Sequence, residues 1–186
     1  MVDDKRKCVF IHIPKCAGNS IVDAFGVHVH SHQPANYYWR EKKILNYYLF
    51  TFVRNPWDRF LSAYLFLKDG GINDVDKLAQ KNLIKGRDFE EFLLDTPVHE
   101  ILQQVHFKRL THFLNRKVDF VGKYENLDAD FKQLLINIKA DDIELPHLNA
   151  TRNKKHYTEY YNDKTIKAIK RLYFRDIKLF NYEFGK

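Results

Sequence analysis

Residues 10–20 read FIHIPKCAGNS, and the fold turns on how that run is read. Cys8 to Ile13 have the apolar, β-branched character of a buried strand, and Ile21, Val22 and Phe25 mark the inner face of a helix that starts near Gly18. Between them lies a loop of mostly small residues, Pro14-Lys15-Cys16-Ala17-Gly18-Asn19-Ser20. A strand that turns sharply into a helix leaves the first-turn N–H groups without intrahelical partners, and such a turn suits an anion. Lys15 adds a cation. It stands before Gly18, whereas the G-x-x-x-x-G-K-[ST] pattern places lysine after the glycine. Taken alone, the same residues also describe a plain strand–helix turn with an incidental surface lysine.

Working outward, Tyr47 to Val53 is aromatic and continuous enough to be a central strand covered on both faces. It ends at Arg54. Asn55 suits a helix cap, Pro56 the first helical position and Asp58 a reciprocal capping role, with Phe60, Leu61, Tyr64 and Leu65 forming the apolar stripe. Open α/β sheets bind ligands at the carboxyl ends of their strands, which is where Arg54 falls, and Ser62 follows about two turns into the helix. A capped helix with solvated arginines is the plain alternative.

The polar stretch Lys68 to Arg87 contains Asp69-Gly70-Gly71 and is predicted as a loop with at most a short helix. Phe89 to Leu94 and Val98 to Leu114 are predicted to be largely helical, and Val118 to Tyr124 a third strand. Leu127, Phe131, Leu134, Leu135 and Ile138 mark the following helix, and Ile166, Ile169, Tyr173, Ile177 and Phe180 a C-terminal one. Strands separated by helices imply a three-layer α/β fold with a mainly parallel central sheet flanked by helices. At 186 residues, one domain over 1–186 is expected.

Composition narrows the classes. Charged residues make up 30% and glycine and proline are sparse, which argues against disordered and collagen-like chains. Lysine and arginine exceed the acids by seven, favouring an anionic ligand without choosing among nucleotide, nucleic acid, glycan and membrane surface. Cys8 and Cys16 form neither a disulfide framework nor a zinc-like spacing. No run approaches transmembrane length and no signal-peptide core is evident, so a reducing, cytoplasmic setting is expected.

Together, IHIPKCAGNS and FVRNPWDRFLSAY resemble the 5′-phosphosulfate loop and the 3′-phosphate segment of sulfotransferases that use 3′-phosphoadenosine 5′-phosphosulfate (PAPS). The likeness is closest to the carbohydrate O-sulfotransferases, including the heparan sulfate 2-O and chondroitin 4-O enzymes and smaller bacterial relatives. FVGKYENLDADF and RLYFRDIKLFNYEF extend it over most of the chain. The resemblance implies a P-loop-like fold and PAPS as sulfuryl donor, with no metal in the scheme. The 5′-phosphosulfate would lie on Lys15, Cys16, Ala17, Gly18, Asn19 and Ser20, and the 3′-phosphate on Arg54 and Ser62. Cys16 stands where many relatives carry threonine.

An acceptor hydroxyl must lose its proton, and histidine has suitable basicity. His30-Ser31-His32 resembles the paired histidines of the 2-O branch, which makes His32 the candidate base with His30 as its rival, and gives Lys15 a share in leaving-group departure. If extended, His28, His30 and His32 share one face, but no carboxylate or cysteine companion stands near for a metal. Arg152, in the basic string ahead of Tyr157, is expected to close over the nucleotide or to meet an acidic acceptor, with a solvated loop as an equal alternative. The acceptor class expected is a saccharide or glycoconjugate, with no nucleic-acid partner. A P-loop kinase or nucleotide hydrolase is the rival enzyme reading, and a nonenzymatic nucleic-acid- or glycan-binding domain the rival of another class; the lysine order speaks against the kinase.

Overall fold

A computed structural model describes residues 1–27, 31–40, 42–146 and 155–186. In chain order the strands are β1 (Val2–Asp3), β2 (Cys8–Ile11), β3 (Tyr48–Val53) and β4 (Phe120–Lys123). The α-helices are α1 (Gly18–Ala24), α2 (Ala35–Tyr38), α3 (Pro56–Lys68), α4 (Asp74–Ala79), α5 (Phe89–Asp95), α6 (Val98–Gln103), α7 (Leu110–Phe113), α8 (Leu127–Ile138), α9 (Asp163–Leu172) and α10 (Phe174–Phe180). The sheet runs β1-β2-β3-β4, with β2, β3 and β4 parallel and β1 antiparallel at the edge. It is a mostly parallel α/β sheet flanked by helices, as expected.

The residues divide into two compact units, Met1–Arg54 with Leu110–Arg152, and Asn55–Arg109 with Asn153–Lys186. The first contains the sheet. β2 is buried along its whole length and β3 over all but its first residue, as continuous apolar strands in a covered parallel sheet must be. Phe10 and Phe50 are register partners whose rings stack at 5.2 Å, and Phe25 and Phe131 close over them and Phe52. The buried Thr51 hydroxyl donates to the Ile11 carbonyl at 2.7 Å, which ties β3 to β2 beyond the backbone ladder.

The second unit is helical and centred on Phe60 of α3, which touches Phe89, Phe92, Phe107 and Tyr173. Asn55 caps α3 by accepting the Trp57 N–H, and Pro56 takes the first position. Three helical expectations need correction. Lys68 to Arg87 is more ordered than a loop: α4 runs into a π-helical turn, Gln80–Ile84. The reason is the buried Asp76, which accepts the Ile72 N–H at 3.1 Å and pairs with His106 at 3.2 Å. The Val98 to Leu114 helix is interrupted between α6 and α7, and the C-terminal helix breaks at Tyr173, whose hydroxyl donates to the Phe107 carbonyl at 2.6 Å.

Gly122 of β4 is held small by its neighbour, since a Cβ there would overlap the fully buried Phe52 ring. Gly122→Ala is expected to lower stability by about 1–3 kcal/mol through overpacking. A urea titration should move its midpoint down without changing the slope; an unmoved midpoint would mean that the ring shifts at no cost.

Candidate functional site

β2, β3 and β4 are parallel, so their carboxyl ends lie at one edge of the sheet, and the segments following them are brought together there. After β2 the chain turns through Pro14 to Ala17 into α1. Lys15 and Ala17 both adopt left-handed backbone conformations, with φ of 68° and 61°, each costing a non-glycine residue roughly 1–2 kcal/mol. Left-handed residues alternating with others form the nests that present consecutive N–H groups to an anion. Ala17 is the cap residue of α1 and has no side-chain atom to accept from the helix start, unlike Asn55 at α3.

Within the loop the side chains divide. Lys15, Ala17 and Ser20 are half-buried and Asn19 is exposed. Cys16 is buried, its thiol donating to the Pro14 carbonyl at 3.7 Å. Gly18 is buried, and a Cβ there would overlap the His12 ring. Its smallness thus makes room for a side chain from below.

Arg54 directly follows β3 and is 7% exposed. Its Nη1 donates to the Lys15 carbonyl at 3.1 Å, and its guanidinium lies 4.0 Å from the centre of the Tyr124 ring, just after β4. One side chain therefore links the loop after β2, the end of β3 and the turn after β4. Cation–π stacking and a fixed planar fork both favour arginine there.

His32 lies beside this loop. Its Nδ1 is 3.1 Å from the His12 carbonyl, and its ring meets the His12 ring edge-on at 4.4 Å. A carbonyl only accepts, so Nδ1 carries the proton and Nε2 carries the lone pair of the neutral ring. His12 is the residue that sequence reasoning overlooked. The signal was a polar residue closing an otherwise apolar strand run.

A family model described as "Sulfotransferase family" matches residues 1–183. The chain belongs to that family. Carbohydrate sulfotransferase 12 of Mus musculus is 24% identical to it over 96% of this chain and 55% of its own length, and the Xenopus laevis protein of the same name is 24% identical over 99% and 58%. An uncharacterized protein of Archaeoglobus fulgidus is 32% identical over 54% of this chain and 86% of its own. The chain thus spans a little over half the length of the two carbohydrate sulfotransferases it matches. No solved structure matches it.

Of the sequence-predicted residues of this sulfotransferase-family chain, the first unit brings together Lys15, Cys16, Ala17, Gly18, Asn19, Ser20, Arg54 and His32. Ser62 lies half-buried on α3 in the second unit. His30 and Arg152, with His28, lie outside the described residues. In the basic segment before Tyr157, His156 is exposed and caps the turn Tyr157–Tyr160. Among the described residues, no group of three His, Cys, Asp or Glu could hold a metal ion, and no helix is long and apolar enough to cross a membrane.

Two measurements check this geometry. Arg54→Lys, which loses the planar fork, should lower the unfolding free energy by about 1–3 kcal/mol in a denaturant titration, and an unchanged value would mean that Arg54 does not hold the loop. Both thiols are buried, and burial pushes Cys8 up to about 12. A colorimetric thiol reagent should therefore find no rapidly reacting cysteine in the native chain and both in denaturant.

Proposed function

We propose that this chain transfers the sulfuryl group of PAPS to an acceptor hydroxyl, with His32 as the base. The observation that carries the reading is the hydrogen bond from Arg54 to the Lys15 carbonyl. It unites the loop that resembles the 5′-phosphosulfate site with the first arginine of the segment that resembles the 3′-phosphate site. The family match over residues 1–183 supports treating the chain as one sulfotransferase domain.

The residues suit such a donor. Loop N–H groups, the Lys15 cation, and the side chains of Asn19 and Ser20 would hold the 5′-phosphosulfate, and Arg54 the 3′-phosphate, with Ser62 assigned to that phosphate by sequence resemblance. Bound there, PAPS supplies an activated sulfuryl group on a phosphate leaving group. His32 accepts the acceptor's proton at Nε2, while Lys15 and the loop amides balance the negative charge left on the phosphate oxygen. The Nδ1 bond to the His12 carbonyl fixes the tautomer that this role needs and steadies the ring when it becomes cationic.

The acceptor proposed is a saccharide. Two relatives bear the name carbohydrate sulfotransferase, and a basic chain suits an anionic glycan.

A ligand that binds the native state raises the melting temperature. PAP, the desulfated donor, should raise it more than ATP does, and the absence of any shift at saturating PAP would overturn the reading. Lys15→Ala should lose both the PAP shift and turnover. His32→Ala should keep the shift and lose labelled-sulfate transfer to the carbohydrate fraction of a cell extract by roughly 100-fold or more. Near-full transfer by His32→Ala would remove His32 as the base.

A further inference from the structure

We infer that His12 is the positioning residue that holds the base and the phosphosulfate loop in register with one another. This rests on the reading of His32 and the loop given above, and it assigns a task to a residue that family resemblance did not single out. His12 follows β2 directly and is 3% exposed. It makes three separate contacts toward the site. Its carbonyl accepts from His32 Nδ1 at 3.1 Å and so sets which ring nitrogen bears the lone pair. Its ring meets the His32 ring edge-on, with centroids 4.4 Å apart and planes at 71°, which limits the tilt of the base. The same ring occupies the space that a Cβ of Gly18 would need, so it sits directly beneath the loop where α1 begins.

The ring is itself held from behind. Phe10, two residues earlier and within β2, stacks on it at 5.5 Å with planes 20° apart, and Phe10 in turn stacks on Phe50. Rigidity passes from the sheet core through Phe10 to His12, and from His12 to both the loop and the base. A movement of the His12 ring therefore changes the separation between the group that takes the proton and the loop that holds the donor. Transfer is sensitive to that separation, since a misplacement of about 1 Å can cost on the order of 100-fold in rate. A five-membered ring fits this place because it is thin enough to lie under Gly18 and flat enough to stack on Phe10.

Two double-mutant cycles test the assignment, with PAP-induced melting shifts reporting on the loop and labelled-sulfate transfer to the extract's carbohydrate fraction reporting on the base. In the first, Gly18→Ala should abolish the PAP shift when His12 is present and regain a substantial part of it in Gly18→Ala/His12→Ala, because the overlapping ring is gone. In the second, His12→Ala should keep a PAP shift but lower turnover about 10- to 100-fold, and should cost nothing further when His32 is already alanine. General structural damage would lower activity alike in both backgrounds and would leave Gly18→Ala unrescued.

Melting without ligand confirms that each variant folds, and His12→Asn, which keeps a polar group at the buried position, replaces His12→Ala if the latter melts early. The inference is overturned if Gly18→Ala binds PAP normally, if removing His12 fails to restore it, or if His12 and His32 losses multiply independently. If wild-type chain shows no PAP shift, or if His32→Ala transfers at near-normal rate, it is the sulfotransfer reading or its base that falls, which these arms separate from failure of His12 alone.

Discussion

Parallel pairing of β2 with β3 and of β3 with β4 is the constraint on which the candidate site depends. Parallel strands end at the same edge, so the loop after β2, Arg54 after β3 and Tyr124 after β4 become neighbours although they are far apart in sequence. Arg54 turns that proximity into contact by donating to the Lys15 carbonyl while its guanidinium lies on Tyr124. A buried guanidinium is tolerable only with such partners. The loop needs an external hold as well, because Lys15 and Ala17 occupy backbone conformations that cost energy for non-glycine residues.

The loop is also supported from beneath. Gly18 permits the His12 ring to lie against the start of α1, and the His12 carbonyl orients His32. The candidate anion loop and the candidate base thus share one buried support, which itself leans on the aromatic core of the sheet through Phe10. The buried Cys16 fits the same scheme. Its thiol donates to the Pro14 carbonyl within the loop.

Much of this was legible in the sequence where local chemistry and tertiary role agree. The three parallel strands are legible to within two residues at either end, β2 and β3 because each is a dense apolar run, and α3 because Asn55 and Pro56 announce its start. β1 escaped notice: two residues carry no periodicity, and only their pairing with Val9 and Cys8 makes them a strand. The helical content after Gly71 was underestimated because it hangs on Asp76 and His106, thirty residues apart in sequence and paired only once folded. The break at Tyr173 was hidden because both helices it separates continue one apolar stripe, while a bond to the Phe107 carbonyl fixes the kink.

The sequence by itself determined the family-like motifs, the order of the three parallel strands with the helices α1, α3 and α8 that follow them, and the kinds of group that would meet an anion, because these are encoded in residue types a few positions apart. Tertiary structure alone decided which of those groups meet. It placed Arg54 against Lys15, buried Cys16, selected the His32 tautomer and brought His12 beneath Gly18. Each of these depends on distances across the sheet edge, and one-dimensional spacing holds no information about such distances until parallel pairing brings the strand ends together.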